Sequence, residues 1–266
     1  MNFIESLVLG IIQGLTEFLP VSSSGHLVIF QHLFGISSND IAFEIVVHLG
    51  TLMSVFVVYY SDIMQMIKSF FGGIAKPKVS YETDYHFKLA ILIILGTIPA
   101  VIAGLFFKDF FESIFHNTKL VGVTLMITAG ILFSTKFFTN GGKKLKAGNS
   151  FLIGIGQALA IFPGISRSGT TISTSLILGI SKEEAAKYSF LLSIPAILGA
   201  AVLELKDFVG TGIDMHQLGI LVTGFLGSFI VGYFAIRFLL SLIQKGKFHW
   251  FAPYCLLLSI LVLIFL

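Results

Sequence analysis

The segment FLPVSSSGHL, residues 18–27, puts a proline, three consecutive serines, a glycine and a histidine into an apolar region. Glu17 precedes the segment, and no Lys or Arg occurs before Lys68. The apolar stretch on each side is about 15 residues long, so a helix rising 1.5 Å per residue would reach about 22 Å. A hydrocarbon core is about 30 Å thick, and neither half can cross it. The segment therefore predicts a helix broken at membrane depth, where only protein or a water-filled cavity can cover the open backbone.

The composition is that of an integral membrane protein. Of the 266 residues, 55% are hydrophobic and 12% are charged, and the mean hydropathy is +0.94. Soluble domains carry about 25% charged residues, so a water-soluble fold would lack charges for its surface. A single cysteine, Cys255, excludes an intrachain disulfide. Residues 1–30 carry only acidic charges, so no signal peptide is expected, and no motif indicates a nucleic-acid partner.

Eight apolar regions divide the chain. Six are long enough to span a membrane, since about 20 residues are needed: 42–60, 88–107, 119–136, 186–204, 217–238 and 250–266. The other two, 1–33 and 149–179, are interrupted at the middle by Pro, Gly and Ser. We interpret these two as re-entrant helical hairpins, each entering and leaving the membrane by the same face.

The two hairpins are related in sequence. GIIQGLTEFLPVSSSGH (10–26) aligns without a gap with GIGQALAIFPGISRSGT (154–170), with eight identities in 17 positions. A single membrane domain then holds two repeats, about 1–138 and 149–266, each a hairpin followed by three spans. Because three is odd, the second repeat must be inverted. The predicted fold is an all-α membrane protein with six transmembrane helices and two re-entrant hairpins in an inverted-topology repeat, whose site lies near the midplane.

The distribution of basic residues predicts the orientation. Of the 17 Lys and Arg residues, Arg167 belongs to neither loop set. Three others, Lys108, Lys119 and Lys206, lie on the face that carries both termini and the loops 34–41, 108–118 and 205–216, which leaves thirteen on the opposite face. Cytoplasmic loops carry the excess of Lys and Arg, so both termini are expected outside.

Arg167 lies at the tip of hairpin two, aligned with Ser23 at the tip of hairpin one. An isolated Arg near the bilayer centre costs roughly 2.5–3.5 kcal/mol on insertion scales, so it needs an anionic partner, and Glu17 is the obvious one. A purely structural pair that pins the two hairpins together is the alternative. That reading leaves the surrounding hydroxyls and His26 without a role.

The tips have the features of an anion site. Where a broken helix resumes, its first N–H groups are unpaired and its dipole favours phosphate. Arg167 adds a planar fork suited to phosphate oxygens. The residues expected to bind phosphate there are Ser22, Ser24, Gly25, Ser166, Ser168, Gly169, Thr170 and Thr171.

Three i, i+3 or i, i+4 pairs suggest chemistry at the tips. Gln13 and Glu17 share a helix face, and their oxygens suit Mg²⁺ or Ca²⁺. Ser23 and His26 put a hydroxyl and a base within reach, the minimum for an activated nucleophile. The third pair, Glu44 and His48, lies at the start of the first span. It either supports the site or is a simple pair at a helix end.

These residues resemble the two signature regions of the bacterial undecaprenyl-diphosphate phosphatases of the bacitracin-resistance type. Gln13 and Glu17 fit the first signature, an acidic residue or Gln followed, after three residues, by Glu. PGISRSGTT, residues 163–171, fits the second, Pro-Gly-x-Ser-Arg-Ser-x-x-Thr. The resemblance covers essentially the whole chain. It implies that the catalytic positions are those of Glu17, Ser23, His26 and Arg167.

The resemblance also implies an activity. That family hydrolyses undecaprenyl diphosphate to the monophosphate carrier, with a divalent cation, on the outer face of the bacterial cytoplasmic membrane. It thereby recycles the carrier for peptidoglycan and other cell-wall polymers and confers bacitracin resistance. Two positions depart from or weaken the pattern. His48 stands where Gln is expected, and Gln13 removes one anionic metal ligand.

Two nucleophiles and two function classes stay open. Ser23 with His26 as base is the preferred nucleophile, and a metal-activated water is the alternative. A flippase that carries a lipid phosphate across the membrane would use the same midplane site but needs only anion-binding groups, so a serine beside a histidine favours the enzyme. The expected partners are a polyprenyl diphosphate lipid and membrane lipids, with a homodimer left open.

Overall fold

The chain is all-helical over the residues described by the computed structural model, which are 1–36, 41–114, 117–138, 141–208 and 214–266. Those residues form thirteen α-helices and no β-strand. In chain order the helices are α1 (Phe3–Phe18), α2 (Ser23–Phe34), α3 (Ile41–Val58), α4 (Tyr60–Gly73), α5 (Pro77–Thr83), α6 (Tyr85–Phe106), α7 (Lys108–Ile114), α8 (Thr118–Ser134), α9 (Ala147–Leu159), α10 (Arg167–Ile177), α11 (Lys182–Phe208), α12 (Met215–Gln244) and α13 (Ala252–Phe265).

Both interrupted regions are broken helices, as the sequence predicts. The first breaks between α1 and α2 because Leu19, which precedes Pro20, takes an extended backbone that a following proline favours. The second breaks between α9 and α10, where Gly164 has a φ of +90° in the chain reversal. Each helix that resumes after a break begins at an N-cap serine, Ser22 for α2 and Ser166 for α10.

The protein is a multi-pass membrane protein. Among the described residues, five helical segments are long and apolar enough to cross a bilayer: Tyr85–Phe106, Thr118–Phe137, Lys182–Leu203, Met215–Gln244 and Phe248–Phe265. Each overlaps one of the predicted spans. The remaining predicted span, 42–60, differs, because its helix stops at Val58 and continues into α4 after a bend of 83°. Together α3 and α4 qualify as one bent span.

The region 61–87, which links the predicted spans 42–60 and 88–107, is largely helical. It contains α4 and α5, which a search for long apolar runs misses because α4 is amphipathic. The helix packs through Phe70, whose ring stacks at 6.3 Å on that of Phe87 in α6. The three predicted outer loops, 34–41, 108–118 and 205–216, each include residues that lie outside the described parts of the chain.

The first helix of each hairpin packs closely on a long span from the other half of the chain. Helix α1 lies along α12, where a Cβ on Gly10 would come within 2.5 Å of the Gly224 carbonyl oxygen. Helix α9 lies along α6, where a Cβ on Gly154 would come within 2.3 Å of the Gly96 carbonyl oxygen. Gly10 and Gly154 are equivalent in the repeat alignment. Close backbone approach at small residues is the usual way in which membrane helices pack tightly.

Candidate active site

Helix α8 holds the tip of hairpin two. The Thr124 hydroxyl donates a hydrogen bond to the carbonyl of Pro163. The Thr128 hydroxyl donates to the carbonyl of Gly164 at 2.9 Å and accepts from the backbone N–H of Ser166 at 3.1 Å. Two threonines one helical turn apart therefore satisfy the open backbone of the break, as a buried irregular segment requires.

The two tips lie against each other. The Ser168 hydroxyl donates to the backbone carbonyl of Leu19 at 3.2 Å, which joins α10 to the break in hairpin one. A Cβ on Gly25 would lie 3.1 Å from the Cα of Gly164. The tips of the two hairpins are therefore in direct contact.

The two helices that resume at the tips carry equivalent caps. In α2 the Gly25 backbone N–H donates to Ser22 Oγ at 3.2 Å, and in α10 the Gly169 N–H donates to Ser166 Oγ at 3.0 Å. Such caps contribute typically about 1 kcal/mol. Ser22 and Ser166 are buried, so their hydroxyls first serve the helix ends. The predicted phosphate-binding residues include these two caps.

Ser22 has an unusual backbone. Its φ of +69° is the only positive φ at a non-glycine residue in the described parts of the chain, whereas Ser166 has a φ of −74°. A residue held in a sparsely populated region costs of order 1–3 kcal/mol and persists only where its surroundings fix it. Hairpin one is therefore strained at its tip, and its repeat partner is not.

Glu17 is the centre of the polar cluster between the tips. One carboxylate oxygen, Oε1, accepts from Arg167 Nη2. The other, Oε2, accepts from the Ser23 hydroxyl at 2.6 Å and from Gln13 Nε2 at 2.9 Å. His48 Nε2 lies 3.7 Å from the same oxygen. The predicted pairing of Glu17 with Arg167 is present, with Glu17 buried and Arg167 partly buried.

His26 does not face Ser23, contrary to the sequence-based expectation. Its Nδ1 lies 2.7 Å from the carbonyl oxygen of Ser22, and its Nε2 lies 2.7 Å from the hydroxyl of Tyr254. Both ring nitrogens are therefore occupied. The i, i+3 spacing places Ser23 and His26 on adjacent parts of one turn, but the His26 ring turns back along its own helix. The nearest proton acceptor to Ser23 is Glu17.

The hydroxyls of Thr170 and Thr171 are used inside the helix rather than at the tip. Thr170 donates to the Ser166 carbonyl at 2.7 Å, and Thr171 bonds the Arg167 carbonyl at 2.8 Å and the Ser189 hydroxyl at 2.6 Å. Both residues are buried. Their predicted role as phosphate donors does not fit, because their hydroxyl protons already serve α10 and α11. The Ser24 hydroxyl lies 3.3 Å from Ser22 Oγ, and either of the two can donate in that contact.

Two buried polar atoms at the tips lack a hydrogen-bond partner among the described residues. They are Arg167 Nη1 and Gln13 Oε1. A buried guanidinium nitrogen without an acceptor is costly. Arg167 thus holds Glu17 with one arm and has the other arm free for an anion.

The predicted metal ligands do not fit a divalent cation in this arrangement. Magnesium and calcium prefer several oxygen ligands, and both oxygens of Glu17 already accept hydrogen bonds from cationic or neutral donors. Only Gln13 Oε1 is free. The described parts of the chain contain no group of three or more Cys, His, Asp and Glu residues placed to hold a metal.

The structure adds two residues that the sequence analysis missed. Gln31 donates from Nε2 to Glu44 Oε1 at 2.9 Å, and Glu44 also accepts, through its backbone carbonyl, from His48 Nδ1 at 2.7 Å. The predicted Glu44–His48 pair therefore borders the site through His48. Tyr254 enters from α13, 228 residues away in sequence from its partner. No local pattern could have signalled this contact.

Comparisons with known proteins show the family of the chain. Residues 6–261 match the family described as bacitracin resistance protein BacA. A protein from Korarchaeum cryptofilum is 46% identical, with 99% of each chain covered, and one from Alkaliphilus metalliredigens is 45% identical, with 100% of this chain and 99% of the other covered. A third, from Carboxydothermus hydrogenoformans, is 43% identical over 99% of this chain and 97% of its own. All three are named undecaprenyl-diphosphatase.

Proposed function

The chain belongs to the bacitracin resistance protein BacA family, and we propose that it hydrolyses undecaprenyl diphosphate to undecaprenyl phosphate and inorganic phosphate in the membrane. The observation that carries the proposal is the Glu17 cluster. One carboxylate holds both the serine hydroxyl and an arginine whose second arm is free. The names of the relatives support the same substrate.

The cluster supplies a nucleophile, a proton acceptor and an anion clamp. Ser23 Oγ attacks the terminal phosphorus, the bond to the bridging oxygen breaks, and undecaprenyl phosphate leaves. The hydroxyl proton passes to Glu17 Oε2, to which it is already hydrogen-bonded at 2.6 Å. Water then releases the phosphate from Ser23. A direct attack by water, with Ser23 as a binding group, is the alternative route.

Arg167 neutralises charge on the phosphates. Its Nη1 is placed to donate to a non-bridging oxygen, and the N-termini of α2 and α10 add their dipoles. Positioning and charge neutralisation are most of what phosphoryl transfer requires of a protein. A divalent cation stays part of the proposal only if the diphosphate brings it and supplies most of its ligands, because both oxygens of Glu17 already accept hydrogen bonds.

The proposal includes an arrangement in the membrane. Six spans, with α3 and α4 as one bent span, and two re-entrant hairpins form an inverted repeat in the bacterial cytoplasmic membrane. Both termini and the opening of the site lie outside. Single cysteines at Lys78 or Lys144 in a Cys255→Ser background should resist an impermeant outside reagent, and labelling of either would overturn this orientation. The same activity would recycle the carrier for cell-wall polymers and confer bacitracin resistance.

The experiment that tests the function is phosphate release from undecaprenyl diphosphate by the purified protein in detergent. Arg167→Ala should abolish release, whereas Arg237→Ala should not, because Arg237 is exposed and bonds only Tyr233. Full release by the Arg167→Ala protein would contradict the proposed site.

A lipid-phosphate flippase is the second candidate. Two features favour it. The two tips have equivalent caps, and the first helix of each hairpin packs on a span of the other repeat, α1 on α12 and α9 on α6. Such pseudo-symmetry suits alternating access. Movement of a labelled lipid phosphate across proteoliposomes without phosphate release would support the flippase. Release without movement supports the enzyme.

A further inference from the structure

Tyr254 occupies a position at the tip of hairpin one that no motif indicates. Its helix, α13, packs against that break through two adjacent residues. The Cys255 thiol donates to the Pro20 carbonyl at 3.6 Å, and the Tyr254 hydroxyl lies 2.7 Å from His26 Nε2. The rings of Tyr254 and His26 are nearly parallel, with an interplanar angle of 6° and centroids 5.8 Å apart.

The hydrogen bonds of His26 fix which nitrogen carries the proton. A carbonyl oxygen only accepts, so Nδ1, at 2.7 Å from the Ser22 carbonyl, must donate. In the neutral ring Nε2 then accepts from the Tyr254 hydroxyl. The one lone pair that could take a proton from a nucleophile is thereby occupied, and it points towards α13 and away from Glu17 and Ser23.

The repeat provides an independent comparison. His26 aligns with Thr170, and Thr170 donates to the carbonyl of Ser166, four residues earlier, at 2.7 Å. His26 Nδ1 makes the same bond to the carbonyl of Ser22 at the same distance. A threonine hydroxyl is no base at neutral pH. The shared contact therefore has a structural role, which is to hold the first turn of the helix against its N-cap residue.

The backbone that this contact holds is strained in hairpin one and not in hairpin two, where Ser166 has a φ of −74° and its carbonyl accepts the same two bonds from Thr170. Ser22 has the positive φ described above, and its carbonyl accepts from both the backbone N–H and the ring of His26, at 3.2 and 2.7 Å. The ring is held in turn by Tyr254. Ser23 follows Ser22 directly, so the backbone of Ser22 sets the direction in which the Ser23 hydroxyl points.

We propose that Tyr254 and His26 are positioning residues: Tyr254 holds the His26 ring, the ring holds the strained Ser22 carbonyl, and Ser23 is thereby aligned with Glu17. This inference rests on the proposed function for its catalytic consequence. It assigns Glu17, not His26, as the group that takes the proton from Ser23.

Three substitutions at His26 separate positioning from proton transfer. The amide nitrogen of Asn takes the place of Nδ1, the amide of Gln takes the place of Nε2, and Ala keeps neither. None of the three is a base. If His26 positions Ser22, His26→Asn should retain kcat within about tenfold, and His26→Ala should be at least tenfold slower than His26→Asn. If His26 is the general base, all three should fall together by about 10²–10⁴, which would overturn the inference.

Tyr254→Phe tests the hydrogen bond between Tyr254 and His26. Tyr254 is 46% exposed, so the loss of one hydroxyl should leave the fold intact. Removing one neutral hydrogen bond should lower kcat about two- to tenfold with little change in KM. The same substitution in a His26→Ala background should have no further effect, because its partner is gone. Tyr233→Phe, which removes a hydroxyl bonded to Arg237 on α12, is the matched control and should leave kcat unchanged.

A double-mutant cycle on the melting temperature makes the contact testable without turnover. Tyr254→Phe and His26→Ala should lower the melting temperature non-additively. Additive shifts, or equal loss of kcat with Tyr254→Phe in the wild-type and His26→Ala backgrounds, would overturn the inference. A wild-type protein that releases no phosphate would instead refute the proposed function, and the cycle would still decide the contact.

Discussion

The substitution Glu17→Gln tests whether Glu17 is part of a catalytic centre or only holds the two hairpins together. The substitution keeps the size of the side chain but removes its charge and replaces one accepting oxygen by a donating amide. Three donors now converge on that carboxylate, from Arg167, Ser23 and Gln13. Breaking a buried ion pair by removing one partner costs about 3–5 kcal/mol, because the other charge stays uncompensated. Losing the proton acceptor of Ser23 should lower kcat by a further factor of about 10²–10⁴.

The assay combines thermal unfolding in detergent with the initial rate of phosphate release. Glu82→Gln, on the exposed face of α5, is the matched control and should change neither quantity. The double substitution Glu17→Gln with Arg167→Met removes both charges, so it should regain much of the lost stability and none of the activity. A double variant that regains turnover would show that the pair only pins the tips. Turnover by Glu17→Gln within tenfold of wild type would refute proton transfer to Glu17.

Three further outcomes are expected. Arg167→Lys should recover little of the phosphate release lost in Arg167→Ala, because Lys lacks the planar fork that holds Glu17 and a phosphate oxygen together; a near-wild-type rate would mean that only a point charge is needed. Chelation should lower phosphate release only as far as it strips cations from the diphosphate, so adding the divalent cation back should restore the rate. Loss of protein-bound metal with irreversible inactivation would instead indicate a resident metal site. The hydrogen bond from the backbone N–H of Phe87, with others, holds the pKa of Asp84 below its usual range. The N-cap of α6 should therefore stabilise the protein fully above the ordinary aspartate pKa. This stabilisation should be lost as the pH falls through the lowered pKa. Asp84→Ala should lower stability by about 1 kcal/mol, and Asp84→Asn should remove the acid dependence in melting curves while keeping the cap.

The fold was predictable where the local sequence of a segment is enough to indicate its structure. Long apolar runs predict six spans, because hydrocarbon accepts little else, and five of them are single long helices among the described residues. The two breaks are equally local, since Pro20 and Gly164 cannot continue a helix without distortion. The bend after Val58 and the helices α4 and α5 were not predictable in this way. They depend on packing against α6, and an amphipathic helix leaves no long apolar run.

The residues that form the candidate site were more predictable from the sequence than the hydrogen bonds between them. The repeat alignment and the intramembrane Arg167 indicate that two tips meet, and Glu17 is the natural counter-charge. Which histidine nitrogen faces which oxygen depends on ring rotation and on α13, which the sequence places more than 200 residues away. The pairing of Ser23 with His26 was therefore wrong, although both residues lie at the tip. Thr170 and Thr171 looked like phosphate donors for the same reason: spacing shows that they share a turn but not where their protons go.

The most direct test of the central claim is to look for phosphate on Ser23 during turnover. The purified protein is mixed with undecaprenyl diphosphate, quenched in acid within one turnover, digested, and analysed by mass spectrometry for the peptide that contains residues 18–27. The account predicts a phosphorylated Ser23 that rises and decays with phosphate release, is absent in Ser23→Ala, and persists in Ser24→Ala. Full phosphate release by Ser23→Ala, with no phosphopeptide in the wild type, would contradict it and assign the attack to water.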